Sequence, residues 1–457
     1  MMKNIWYWTR SVALISFVLV ISSTIGFSNA RAQRMRPKVV TYFPQAHGAR
    51  AHGMSIQADG KIVVVGAVED AHDLDFEWGL VRYKPDLSLD ETFGIGGHVR
   101  SDVSGFASRD YLDYVITPNR PGSPIVVAGR MGSVAERSSP ELAALARYGS
   151  SGILDSSFGA DGTGVVKITG RGIEPHRVTA LAVQSDGRIV VAGYGSAPNY
   201  ANRRRSASFL ARFRSNGTPD DLFGTKGVRI FAQPAMYITG IALQPDHKIL
   251  LATVQSGDFV VLRLNSFDGS PDSTFGNAGS SAVADFAEGD VGPSDIPANL
   301  GVALQSNGRI IVAGGITLPN QATQLVAMAR YTKEGNLDSG FGTNKTGKVV
   351  TNAQSSVRAM VVDRMDRILI GGQKASDFLL IRYTSDGVLD TSFGSNGHPF
   401  PKLPGRGMVT TDFAEFSPGY PSSEILNALA TGGGNLIAAG VHSTSLGMGV
   451  AMAKYEY

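Results

Sequence analysis

The residues with the clearest chemical spacing are an arginine and an aspartate that recur together. Arg82 and Asp90, Arg147 and Asp155, Arg212 and Asp220, Arg263 and Asp272, Arg330 and Asp338, and Arg382 and Asp390 stand eight or nine positions apart. A seventh copy has Lys454 in place of the arginine and lacks the aspartate. The planar fork of a guanidinium grips a carboxylate through paired N–H bonds and an ammonium does not, so the joint loss of both partners marks a structural pair. A single reaction needs one asymmetric site, which six copies of the same pair do not make.

Chemistry of a unique kind must come from residues outside this repeat. Residues 69–78 (EDAHDLDFEW) place the carboxylates of Asp73, Asp75 and Glu77 at alternate positions, as a calcium loop does. They lack the glycine at the sixth position and the distal bidentate glutamate of an EF-hand, so a solvated acidic loop is the competing reading. Calcium is the one cofactor that the sequence admits. Trp78 ends that loop, and residues 200–205 (YANRRR) bring Tyr200 together with Arg203, Arg204 and Arg205. These five are the ligand-binding candidates; residues 200–205 among them could grip a phosphate, sulfate or carboxylate, with a solvated basic turn as the alternative. His47, His52, His72 and His176 have no metal-ligand spacing among them and read as surface histidines. The chain contains no G-x-S-x-G, H-E-x-x-H or P-loop motif. The absence of cysteine excludes disulfides, thiolate metal sites and a thiol nucleophile.

The elements that position these residues follow from a repeat. A Phe-Gly pair recurs at Phe93, Phe158, Phe223, Phe275, Phe341 and Phe393, at intervals of 65, 65, 52, 66 and 52 residues. Each unit reads as about four short strands. The first alternates (TALAVQ, TGIALQ) and ends in an Asp-Gly or Asn-Gly turn, the preferred two-residue hairpin turn because both central positions need positive φ. The second (RIVVAG) and third (FLLIRY) are apolar on both faces, as strands buried between stacked sheets must be, and a fourth (GKVVTNA) follows the Phe-Gly turn. Four-stranded antiparallel units at this period predict an all-β propeller, with an open solenoid as the competitor. The last unit stops at Tyr457 after three strands, while residues 38–43 (KVVTYF) match the fourth strands of other units. A seventh blade shared by the two termini, closed by the N-terminal strand, removes the exposed edges that an open array leaves.

Units of the form RILIGG followed by FLLIRYTSDGVLDTSFG resemble the bacterial delta-60 repeat proteins, whose repeats imply a propeller and imply no activity. The chain departs from that pattern at Asp246-His247 and Met365-Asp366, where Asp-Gly turns are expected, and at Pro219 and Pro271 before the repeat aspartate.

Lys3 and Arg10 precede an apolar run over residues 12–27 and a small-x-small site ending at Ala32, the order of a secretory signal peptide of residues 1–32. The run is shorter than the roughly 20 residues a spanning helix needs. Removing Lys3, Arg10 and Arg31 leaves as many basic residues as the 39 acidic ones, so nothing in the charge favours nucleic acid or an anionic membrane. The expectation is an exported monomer over residues 33–457, in the periplasm or outside a bacterial cell. It serves as a binding scaffold for a protein or glycan there, with a propeller hydrolase or lyase as the alternative. Length varies most in the connections between second and third strands and between units, which leave a four-stranded meander on one side; ligands are expected at that rim.

Overall fold

The computed structural model describes residues 37–71, 75–105, 109–118, 120–132, 141–170, 172–197, 205–231, 236–255, 258–286, 300–317, 324–353, 355–394 and 407–456. The proposed leader lies outside them. The described residues form strands joined by turns and loops, with one turn of 3-10 helix at Ala414–Phe416, and no helix among them is long and apolar enough to cross a membrane.

After β1 (Lys38–Thr41), strands β2 (Ala46–Ile56), β3 (Ile62–Asp70), β4 (Phe76–Tyr83) and β5 (His98–Ser101) form an antiparallel meander. The next sheet repeats it with β6 (Tyr111–Ile116), β7 (Ile125–Met131), β8 (Leu142–Tyr148) and β9 (Val165–Lys167). A third contains β10 (Glu174–Val183), β11 (Ile189–Ala197), β12 (Arg205–Phe213) and β13 (Val228–Phe231). Only three strands make the following sheet, β14 (Tyr237–Leu243), β15 (Ile249–Gln255) and β16 (Asp258–Leu264). Four-stranded order returns in β17 (Gly301–Leu304), β18 (Ile310–Thr317), β19 (Gln324–Tyr331) and β20 (Lys348–Thr351). It continues in β21 (Ser356–Val362), β22 (Ile368–Lys374), β23 (Asp377–Tyr383) and β24 (Met408–Thr411). The chain ends with β25 (Ser422–Gly432), β26 (Asn435–Thr444) and β27 (Gly447–Glu456). β1 pairs antiparallel with β27, Lys38 opposite Ala453 and Thr41 opposite Val450. A single parallel bridge, Gly48 to Met448, joins β2 to β27 and merges the first and last sheets.

The expected fourth strand of the three-stranded sheet is replaced by isolated bridges, Leu262 to Ser280 and Phe259 to Ala284. The reason is local: the Ser281 hydroxyl accepts the Val261 N–H at 3.0 Å, so a side chain occupies a place in the ladder. The first hairpin turns also differ from the two-residue form expected. At residues 57–61 the Gly60 N–H bonds the Gln57 carbonyl and the Gln57 N–H bonds the Lys61 carbonyl. Only Gly60 has positive φ, +81°, which is a type I turn closed by a glycine bulge. Asp59 Oδ1 accepts the Lys61 N–H at 3.1 Å and holds the turn. His247 (φ +68°) and Asp366 (φ +61°) keep the same geometry without glycine, at a cost of about 1 kcal/mol each.

The cores lie between sheets. β3 and β4 are buried along most of their length, on both faces, and the pattern recurs in the second and third strands of the other sheets. Val63, Val65 and Leu80 of the first sheet share a core with Leu112, Val127 and Ala144 of the second, and Leu210 and Val190 of the third share one with Ile238 and Leu251 of the next. The first strands also pack on one another, β2 on β6, β6 on β10 and β10 on β14.

Candidate functional site

The structure brings each repeated arginine and aspartate together. Arg82, Arg147, Arg212, Arg263, Arg330 and Arg382 place Nε 2.7 to 2.8 Å from the carboxylate of Asp90, Asp155, Asp220, Asp272, Asp338 and Asp390. Each guanidinium also lies 4.4 to 5.0 Å from the ring centre of the Phe-Gly phenylalanine of its own unit. A second bond leaves the sheet: Nη1 of Arg263 donates to Lys333 O and that of Arg330 to Ser385 O, both at 2.7 Å, while Arg82 reaches Ser150 O. The repeat is thus a clasp from one sheet to the next. Lys61, Arg188, Lys248 and Arg309, which precede second strands, add a second cation to the same aspartates.

The unique chemistry lies elsewhere, in a cavity of about 600 Å³ walled by the first strands. Six of those strands carry a β-bulge at one shared repeat position, where the ladder skips His52, Asp113, Thr179, Thr239, Arg358 and Asn427; β2 and β10 have a second bulge, at His47 and His176. A bulge re-aims the extra side chain, and all six line the cavity. Four donate across to a main-chain carbonyl in the next sheet's first strand or, for Leu300, just ahead of it. His52 Nδ1 lies 3.0 Å from Leu112 O, Thr179 Oγ1 2.7 Å from Ile238 O, Thr239 Oγ1 3.1 Å from Leu300 O, and Asn427 Nδ2 2.8 Å from Ala51 O. Asp113 and Arg358 break that series, since neither makes such a bond among the described residues.

Arg50, Arg130 and Arg177 join Arg358 on the wall, so four guanidinium groups face the one carboxylate of Asp113. Arg130 is partly neutralised, bonding Glu141 at 2.7 Å and lying 4.1 Å from the Tyr111 ring centre. Arg50 and Arg358 have no ion pair among the described residues, and the Nε of each is buried without a hydrogen-bond partner. Burial lowers the pKa of Arg358. Burial opposes the charge of Arg177 as well, but Asp113 and Tyr194 beside it outweigh that and raise its pKa. Asp113 is pushed up by burial against the pull of His52, Arg130 and Arg177, and its Oδ2 has no partner. His52 is pushed down by burial, with Asp113 opposing from 3.8 Å. With its Nδ1 proton held by the Leu112 carbonyl, a neutral His52 keeps the Nε2 lone pair free for a proton or a ligand.

The residues singled out by sequence fall differently. Trp78 is fully buried and its indole N–H donates to Arg130 O at 3.1 Å, so it supports the cavity wall from behind. Tyr200, Arg203, Arg204 and Asp73 lie outside the described residues, and Arg205 is the first residue of β12. Glu77 accepts from Arg100 Nε at 2.7 Å, a guanidinium holding the place of a cation, and Asp75 is buried with its main-chain carbonyl bonded by the Asp70 N–H. His176 bonds Ser196 and Glu141 O. The cavity residues occupy first strands from their N-terminal ends to their middles, the ends of β7, β11 and β26, and the start of β27. Their signal in the sequence is one repeat position that changes from unit to unit, His52, Asp113, Thr179, Thr239, Arg358 and Asn427.

The family model described as a domain of unknown function (DUF5122) beta-propeller matches residues 57–93, 184–223, 244–275, 305–341 and 366–393. Each matched segment ends on the buried Phe-Gly phenylalanine and contains an arginine-aspartate clasp. No curated protein matches the chain in sequence. Among solved structures it is similar to catalytically inactive virginiamycin B lyase from Staphylococcus aureus bound to quinupristin, at 9% identity and a TM-score of 0.47, covering 92% of this chain and 99% of that one. It is also similar to puromycin hydrolase, at 14% identity and a TM-score of 0.41, covering 89% of this chain and 50% of that one. The β-propeller domain of the Trilobed protease from Pyrococcus furiosus matches at 10% identity and a TM-score of 0.42, covering 90% and 96%. With repeated four-stranded meanders, cores between sheets and the family match, the chain is a β-propeller repeat protein.

Proposed function

We propose that this chain is an exported seven-bladed propeller that binds a small anionic ligand, bearing a carboxylate, sulfate or phosphate, in the cavity at its centre. The blade count rests on the order of packing: β14 meets β17, β17 meets β21, β21 meets β25, and β25 meets β2. The core that joins Ile437 and Met452 of the last sheet to Val64 and Val81 of the first supports closure of that ring. β1, as the fourth strand of the last blade, supports it too. Export rests on the leader pattern of residues 1–32, and the exported form begins at Gln33 in this reading.

The observation that carries the ligand class is the pair Arg50 and Arg358. Two half-buried guanidinium groups without a carboxylate are costly to hold in a protein, and an anion supplies the missing partners through charge-assisted bonds. An acidic glycan of the periplasm or exterior has this chemistry. The enzyme reading, a hydrolase or lyase, is favoured by one feature, His52 and Asp113 at 3.8 Å in the same cavity with oppositely shifted pKa values. Titration calorimetry against uronic acids, sulfated sugars and sugar phosphates, each beside its neutral parent sugar, tests the proposal. Binding confined to the charged members, and weakened about ten-fold or more in Arg358→Gln, is the expected result. Equal binding of the neutral parents refutes it.

A further inference from the structure

A second site stands at the junction of the β21–β24 and β25–β27 sheets. Asp377 opens β23, Asp412 follows β24, and Glu424 lies near the start of β25. One carboxylate oxygen from each lies within 4.8 Å of the other two. Oxygens so spaced can all reach a single calcium ion, whose ligands stand at about 2.4 Å. Glu424 is fully buried; one of its oxygens bonds His442 Nδ1 at 2.9 Å and the other, Oε2, has no partner. Asp377 and Asp412 form no ion pair among the described residues. Lys38, close by on β1, donates instead to the Asp412 main-chain carbonyl and to Glu415, both at 2.6 Å.

The molecule contains its own control. Superposed by strand register, Glu77, Asp102 and Asp110 occupy the same repeat positions at the junction of the first and second sheets. The match extends to the main chain, because the Asp110 N–H bonds Phe76 O as the Glu424 N–H bonds Ser376 O. There the protein satisfies all three carboxylates. Glu77 receives Arg100, Asp102 receives the Gly105 N–H, and Asp110 receives the N–H groups of Val103, Ser104 and Gly132 and the Ser104 hydroxyl. At the later junction Asp412 likewise receives the Ala414 N–H at 2.7 Å, but Thr410 stands where Arg100 does and Glu424 Oε2 has none of the donors that Asp110 has. The carboxylates are kept and the internal cation is removed, a change that leaves repulsion unless an external cation takes its place.

We propose that Asp377, Asp412 and Glu424 bind calcium between these two blades, with His442 orienting Glu424 from behind. An all-oxygen set of three carboxylates suits a hard divalent cation, and a histidine hydrogen-bonded to a ligand is a common outer-shell device. The site ties the last blade to its neighbour.

Calcium chloride titrated into the EDTA-treated full chain, read by calorimetry and by melting temperature, tests this. The expected result is a single ion bound per chain and a rise in melting temperature. Asp377→Asn and Asp412→Asn each abolish both responses, while Asp110→Asn leaves calcium binding unchanged. Because Asp377→Asn removes repulsion, its melting temperature without calcium equals or exceeds that of the EDTA-treated wild type, which also shows that the variant folds. No calcium response in the wild type overturns the proposal, and so does an undiminished response in both Asp377→Asn and Asp412→Asn.

Discussion

Replacing Asp220 with alanine tests the clasp where it is deepest. Arg212 and Asp220 have side chains only 1% and 3% exposed, with Nε 2.8 Å from Oδ2. Truncation orphans a buried guanidinium, which costs about 3 to 5 kcal/mol. Arg212 keeps bonds to Ser266 O and Phe267 O and its place 4.4 Å from the Phe223 ring centre, so the loss falls near the lower end, about 3 kcal/mol. That is roughly a hundred-fold in the unfolding equilibrium. Asp155 provides the contrast, since it and Arg147 are 31% and 17% exposed and no second cation among the described residues reaches the carboxylate. Solvent screening brings the loss in Asp155→Ala below about 1 kcal/mol. Urea unfolding of both variants measures the difference. In the double variant Arg212→Leu/Asp220→Ala the orphaned charge is gone, and its loss should fall short of the sum of the single losses by about 1 to 3 kcal/mol. Equal losses for the two aspartates, or strict additivity in the double variant, refute the reasoning.

Two further outcomes follow from the same structure. Deleting residues 38–43 strips β1 from β27 and bares a strand edge, so the variant should aggregate or melt at markedly lower temperature; an unchanged, monodisperse variant contradicts closure by the N-terminal strand. Burial raises the pKa of Asp272, but bonds from Lys248 and Thr274 and the charge of Arg263 outweigh it and hold the group well below the usual carboxylate range; Asp90 behaves alike through Thr92, Lys61 and Arg82. A carboxylate depressed in the folded state contributes stability that is complete above its unfolded pKa, about 3.9, and is lost as pH falls toward the native value. Urea midpoints should therefore be insensitive to these two groups above about pH 5 and fall below pH 4, less steeply in Asp272→Asn.

The clasp was legible in sequence because it recurs. Six copies of Arg, Asp and Phe at nearly constant offsets separate the structural pattern from chance, and β1 could be matched to other fourth strands through KVVT, which stands at both residues 38–41 and 348–351. The cavity was not legible for the opposite reason. Its residues share one repeat position but differ in type, from His52 to Arg358, and only the register shift of a bulge turns that position inward. Trp78 illustrates the converse error, since an aromatic residue at the end of a polar loop reads as exposed until the next sheet covers it. The calcium pattern was sought where carboxylates are close in sequence. The proposed site draws them from β23, the end of β24 and β25, which no local spacing reveals.

The most direct test of an anion site at the propeller centre is a crystal of the protein soaked in selenate, with the anion located by its anomalous scattering. The account predicts a peak inside the cavity against the guanidinium of Arg50 or Arg358, absent from Arg50→Gln/Arg358→Gln crystals treated alike. Peaks confined to the outer surface, with none in the cavity, contradict it.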